Sequence, residues 1–268
     1  MQRKLLLLLR ISKPEYNKTL YQDYKIFMNC QKNFRNPDYN KGQYDKYEGA
    51  ILQGPCTFKY YVDGKQKCVN LGNDGIIYKE NNAYVFCMYE IEFDKLTYDS
   101  KTNKFYHNIS WDYIKDLWND KGLEMLIIKN TARFLDMFHA AAERKNKSHA
   151  KGLVKYDLQD KLHSQEYFEL ALQDDFEAVY HKVDAYKEQK EYRLTILDDG
   201  EEQSYILQLE KDDSLMFDIF PLEYGKNIIV EISNLEFNMV TNLPDRFSAK
   251  LSFFEPEKPI EKYRETKI

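Results

Sequence analysis

Short apolar runs with strand character recur along this chain, but not at the helix-length spacing that separates the strands of a parallel sheet. Residues 57–62 and 67–71 flank Asp63-Gly64, and an aspartate–glycine pair between alternating runs signals a β-hairpin. Residues 191–197 alternate cleanly, and Asp199-Gly200 is read as turning them back into 203–209. Residues 83–93 form a long run with little interruption, as expected of a central strand. Further strands are predicted at 123–128, 152–156, 215–220 and 228–232, and the leucines at 5–9 predict a first strand or a short buried helix. Helices are predicted near 20–34, over 111–118, over 165–172, and after Asn130 as N-cap, where Phe134, Leu135, Phe138 and Ala142 share one face. Strands and helices mixed in this way specify an α+β fold. The expectation is a single domain over 1–254, with a mixed, mostly antiparallel sheet flanked by helices. A charged tail with Pro256 and Pro259 follows over 255–268.

Composition narrows the class. The 268 residues are 43 % hydrophobic and 31 % charged, which argues against membrane spans and bulk disorder. The net charge of −5 lacks the basic excess of a generic nucleic-acid binder. Cys30, Cys56, Cys68 and Cys87 form no CxxC pair, so closely spaced zinc ligands are missing and no metal site is predicted. The cysteines read as reduced intracellular thiols, and the five leucines fall short of a secretory apolar region. The expected compartment is the cytoplasm. The phosphate-cradling glycine loops, the G-x-S-x-G nucleophile elbow and the H-E-x-x-H zinc motif are all absent. His139, beside Phe138 on a predicted helix, reads as structural.

The most informative segment is 182–197. Strand period two places Tyr192, Leu194 and Ile196 on one face and Gln189, Glu191, Arg193 and Thr195 on the other. A carboxylate and a guanidinium on the inner face of a central strand need either a cleft or a satisfied network, because an unpaired buried charge is too costly. Three readings stand. Glu191 pairs with Arg193 or Lys182 as an ordinary ion pair. Alternatively Gln189 and Glu191 form a Q-x-E element, as in transferases that split a nicotinamide glycosidic bond, where the carboxylate stabilises an oxocarbenium-like centre. The third is an E-x-K element, Glu188 and Lys190 with Asp174 or Asp175, as in magnesium-dependent nucleases. The chain also holds 22 tyrosines; Tyr39, Tyr44 and Tyr47 sit in a polar loop and are candidate partner-binding residues.

The chain resembles a family of bacterial and phage proteins filed as a domain of unknown function. The resemblance spans roughly residues 20–240. It is carried by Leu20-Tyr21, by Ile26 to Asn29 leading to Phe34-Arg35, by Tyr47-Glu48-Gly49, and by Val85-Phe86-Cys87-Met88-Tyr89. Leu126-Ile127-Ile128 with Phe134, then Gly152 to Tyr156, come next. The most specific block is the last: Lys182, Tyr186 and Gln189 to Arg193. The order of blocks is similar to that of ADP-ribosyltransferase folds. The resemblance implies a role in bacterium–phage conflict, with NAD as the co-substrate. Glu191 would be the catalytic carboxylate, helped by Gln189 and Arg193, while Tyr21, Arg35, Cys87 and Tyr89 would bind NAD. The competing class is a non-catalytic protein that binds and inhibits a host or phage complex.

Overall fold

The computed structural model describes residues 5–38, 43–62, 64–118, 122–200, 202–237 and 244–256. In chain order, β1 (Leu5–Ser12), α1 (Pro14–Asp23) and β2 (Lys25–Cys30) lead into a 3-10 turn, Gln31–Arg35. Then come β3 (Ala50–Gln53), β4 (Cys56–Val62), β5 (Lys65–Leu71), β6 (Ile76–Tyr78) and the long β7 (Ala83–Glu92). They are followed by β8 (Thr97–Asp99), β9 (Lys104–Ile109), α2 (Trp111–Ile114), β10 (Glu124–Ile128), α3 (Thr131–Arg144) and β11 (His149–Leu153). Two helices, α4 (Leu158–Lys161) and α5 (Gln165–Gln173), precede 3-10 turns at Glu177–Val179 and Asp184–Gln189. The chain closes with β12 (Glu191–Leu197), β13 (Ser204–Gln208), β14 (Phe217–Pro221), β15 (Asn227–Phe237) and β16 (Pro244–Phe254).

The architecture is α+β, and among the described residues the named strands pair antiparallel, with one isolated parallel bridge between Lys155 and His181. An eight-stranded sheet runs β11-β12-β7-β1-β10-β14, with β2 bonded to both β7 and β13. A four-stranded sheet runs β16-β15-β9-β8, and β3–β6 and β4–β5 form separate pairs. Alternation along the central strands sorts their side chains between two cores. Leu8, Phe86, Leu126 and Leu194 pack with Phe134, Phe138 and Ala142 of α3 on one face. Leu7, Leu9, Ile91, Met125 and Ile127 pack on the other face against Ile109, Val230 and Ile232 of the second sheet. Leu7, Leu8 and Leu9 thus lie on a strand covered on both sides, which explains their unbroken apolar character.

Several sequence expectations change; the helix predicted over 111–118, for one, ends at Ile114. The region predicted as a helix near 20–34 divides: α1 ends at Asp23, Tyr24 adopts a left-handed conformation (φ 54°), and β2 follows. Leu20, Tyr21, Tyr24 and Phe27 mimic helical spacing, but Ile26, Met28 and Cys30 alternate inward as a strand. Residues 203–209 do not form a hairpin with β12, because both edges of β12 are taken by β11 and β7; β13 crosses to pair with β2 instead. The strand predicted at 152–156 begins earlier, at His149. The tail over 255–268 lies mostly outside the described residues.

One irregularity positions the site. Along one edge β7 is bonded to β12 from Ala83 to Tyr89. Its other edge is shared: β2 meets Tyr84 and Val85, and β1 joins only from Tyr89 onward. Phe86, Cys87 and Met88 thus have no strand partner on that side among the described residues, and the sheet is split where β1 and β2 diverge.

Candidate functional site

The split opens a cavity of about 110 Å³ whose walls include Arg10, Cys87, Tyr113, Gln189, Glu191 and Arg193. Ile11, Ser12, Phe27, Asn29, Gln43 and Leu117 line both this cavity and a wider vestibule of about 430 Å³. The inner space takes one small group; a larger ligand would have to extend into the vestibule, since pockets for drug-sized molecules span roughly 300–1,000 Å³.

The polar face of β12 forms one wall. Tyr192, Leu194 and Ile196 are buried against α3, so Glu191, Arg193 and Thr195 face away from it. Gln189 ends a 3-10 turn instead of belonging to the strand, and Lys190 turns the corner in a left-handed conformation (φ 41°). Gln189 and Glu191 are still brought together: Lys182 Nζ donates to Gln189 Oε1 at 2.9 Å and to Glu191 Oε1 at 2.6 Å. Arg193 Nε donates to Glu191 Oε2 at 2.8 Å. Its two terminal nitrogens donate to Glu48 Oε1 and Oε2 at 2.7 and 2.9 Å, and Nη1 also reaches the Val179 carbonyl at 2.5 Å. Gln31 Nε2 adds a third donor to Glu48, at 2.8 Å. The result is a buried chain of alternating charge, Lys182–Glu191–Arg193–Glu48. Glu191 pairs with both Arg193 and Lys182.

The charge states follow from this packing. Burial alone would push the Glu191 carboxyl up, but Lys182 and Arg193 outweigh it and hold it down at about 2. Glu191 is therefore ionised at neutral pH. Two of the four lone-pair directions of a carboxylate are used by these cations. Burial, reinforced by Glu191, pushes the Cys87 thiol up to about 12, so Cys87 is a neutral wall group at pH 7 and a poor nucleophile. Asp45, buried beside Glu48, is pushed up to about 6 by burial first and by that neighbour second.

The other predicted residues are dispersed. Tyr89 lines the cavity, with its hydroxyl 3.1 Å from His107 Nε2. Tyr21 packs against the core under α3, on the opposite face of the sheet. Arg35 stacks on Tyr78, 4.2 Å from the ring centre, in a separate surface depression. Tyr44 and Tyr47 are half-buried: the Tyr44 carbonyl accepts from Tyr186, and Tyr47 packs beside Ala50 and Leu158. Tyr39 lies outside the described residues. Glu188 and Asp174 are exposed, and Asp175 pairs with Lys79 at 2.9 Å. Among the described residues these three form no group with metal-ligand spacing; His139, Glu143 and His149 do, at the end of α3 and the start of β11. His139 is exposed, and its Nδ1 lies 2.6 Å from His149 Nε2.

Arg10, Tyr113 and Asp45 were not anticipated as site residues. Arg10 carried a signal, a lone cation following five leucines within one strand, which is costly unless it has a use.

No protein-family model, no curated protein and no solved structure matches the chain. The case for function therefore rests on the crevice itself. No described helix is long and apolar enough to cross a membrane.

Proposed function

We propose that the protein works through the crevice as an ADP-ribosyltransferase-like enzyme, with NAD as co-substrate and a cytoplasmic protein as target in bacterium–phage conflict. The observation that carries this reading is that Glu191 and Gln189 line a cavity opening to a vestibule. An ionised carboxylate fixed beside a small cavity is suited to stabilising positive charge that develops at a ribose carbon when nicotinamide leaves. Lys182 and Arg193 would hold Glu191 in place and ionised, and Gln189 would orient the acceptor. NAD does not fit the inner cavity whole; the nicotinamide end would enter it and the remainder would occupy the vestibule.

The test is incubation with labelled NAD and bacterial extract, reading both transfer and nicotinamide release. Wild-type activity should fall by about a hundredfold or more in Glu191→Gln, the scale of losing one electrostatic stabiliser. Neither transfer nor hydrolysis in wild type, equal to the variant, would sink the reading.

A second reading has its own observation. Both Glu191 oxygens already carry a cation, so the network is satisfied without substrate. On the surface, Trp111, Trp118 and Tyr224 pack edge-to-face with Tyr224 71 % exposed, and such aromatics are enriched at protein interfaces. A non-catalytic inhibitor would capture a stoichiometric protein partner. Capture should survive Glu191→Gln and weaken in Tyr224→Ala.

A further inference from the structure

Among the described residues Arg10 makes no side-chain hydrogen bond and no ion pair, and its Nη1 is sealed from solvent without a partner. The groups acting on it are the Cys87 thiol, which is neutral at pH 7, and the Tyr16 side chain; no carboxylate is among them. Its guanidinium lies over the Phe86 ring at 4.1 Å, which offsets part of the cost of burial but leaves the charge uncompensated. Burial pushes Arg10 down to about 10, so it remains a cation at pH 7. The other two cations of the cavity wall are neutralised: Lys182 by Glu191, and Arg193 by Glu48 and Glu191. Arg10 is thus the one cation of this wall without an anion among the described residues, and it stands where β1 leaves β7 and the cavity begins.

We propose that Arg10 anchors an oxyanion, a carboxylate or phosphate group of the ligand, at the split between β1 and β2. Guanidinium groups suit this role because their planar N–H donors match the oxygens of both anions. The vestibule adds Lys13, Asn29, Asn33 and Ser204 as further polar groups around the approach, with Asp38 the acidic residue on its rim. An anion there would complete the charge balance of the wall. The inference rests on the crevice being a ligand site, not on NAD being the ligand.

The experiment is thermal unfolding of the full chain in a zwitterionic buffer without added salt. Sodium phosphate and sodium acetate are titrated in separate arms, with sodium chloride at matched ionic strength as control. Wild type should show a saturable rise in Tm with at least one oxyanion beyond chloride. The rise should reach about 5 °C at a hundred times the half-saturating concentration. Arg10→Met should lose this response and begin at a Tm no lower than wild type, because it removes an uncompensated charge. Arg10→Lys should retain a weaker response. The arm that responds more strongly identifies phosphate or carboxylate as the group recognised. The proposal is overturned if neither oxyanion exceeds chloride, or if Arg10→Met responds as wild type does. It is also overturned if Arg10→Met is destabilised in the absence of anions, which would assign Arg10 to packing on Phe86. None of these outcomes depends on NAD turnover, so failure here and failure of the transferase reading are separable.

Discussion

Arg193 grips both carboxylate oxygens of Glu48, at 2.7 and 2.9 Å, and so ties β12 to the turn before β3 across 145 residues of chain. Both side chains are essentially sealed from solvent. Attraction inside such a pair must offset the desolvation of two charges, and here further bonds to Glu191, Gln31 and Val179 help satisfy the remaining donors and acceptors.

Removing one partner should therefore strand the other as an uncompensated buried charge. Arg193→Met or Glu48→Gln should each lower stability by about 3–5 kcal/mol, because a buried charge is left behind. The double variant should cost less than the sum of the two. Urea denaturation of the four proteins of the cycle gives the coupling. Additive effects would show that the pair is not coupled as its geometry implies.

Stability should respond to pH through groups that act in opposite directions. Glu191 is held down at about 2 against an ordinary 4.5, so its contribution is present above 4.5 and is lost as pH falls through 2. His107 is pushed down to about 4 from 6.5, by burial first and by Lys190 second, so the fold resists its protonation and loses stability as pH falls from 6.5 through 4. Asp45 runs the other way: raised to about 6 from 3.8, it costs stability as pH climbs from 3.8 through 6 and it ionises. Asp45→Asn should then stabilise the protein at pH 7, on the order of 2 kcal/mol, with the gain gone at pH 4. His107→Gln should flatten the slope between pH 6.5 and 4. Denaturation midpoints across pH 3–8 measure both, and a gain from Asp45→Asn that is equal at pH 4 and 7 would contradict the assignment.

A close backbone approach fixes the β4–β5 hairpin. A Cβ on Gly54 would stand 1.9 Å from the Gly72 carbonyl oxygen, while the Gly54 N–H donates to Gly75 at 2.8 Å. The hairpin docks through Phe58 and Tyr60 against Phe168 of α5. Gly54→Ala should push its base apart and cost about 1–3 kcal/mol. It should also admit protease within 56–71 before the rest of the chain. Wild-type stability in this variant would mean that the approach relaxes freely.

Local periodicity made part of this legible. Period two assigned the two faces of β12, including Tyr192 with Leu194 and Ile196 in the core, and Asp63-Gly64 marked the β4–β5 hairpin. Asn130 caps α3 as read, its Oδ1 accepting from Arg133 N at 2.9 Å. What stayed hidden depends on pairing between distant segments. Nothing local says that β13 joins β2, that β1 and β2 share one edge of β7, or that Glu48 meets Arg193. The split, and with it the cavity and the isolation of Arg10, is a product of those pairings. Arg35 and Tyr21 were grouped with Cys87 by block order, and block order carries no information about which face of a sheet a residue occupies.

Cys87 offers a direct chemical readout of the crevice. Its thiol lines the cavity, but with its pKa pushed up to about 12 only about one molecule in ten thousand is thiolate at pH 8, and the thiolate is the reactive form. Cys68 is exposed. In the native protein an aromatic disulfide reagent at pH 8 should therefore label Cys68 at least a hundredfold faster than Cys87, as mapped by mass spectrometry over time. Burial is the main cause of the raised pKa and Glu191 the next, with Arg193 and Lys182 opposing. Glu191→Gln removes the opposing negative charge and leaves both cations, so it should accelerate labelling of Cys87 while leaving Cys68 unchanged. Equal rates at Cys87 and Cys68 in wild type, or no acceleration in a folded Glu191→Gln variant, would contradict the electrostatic layout of the cavity wall.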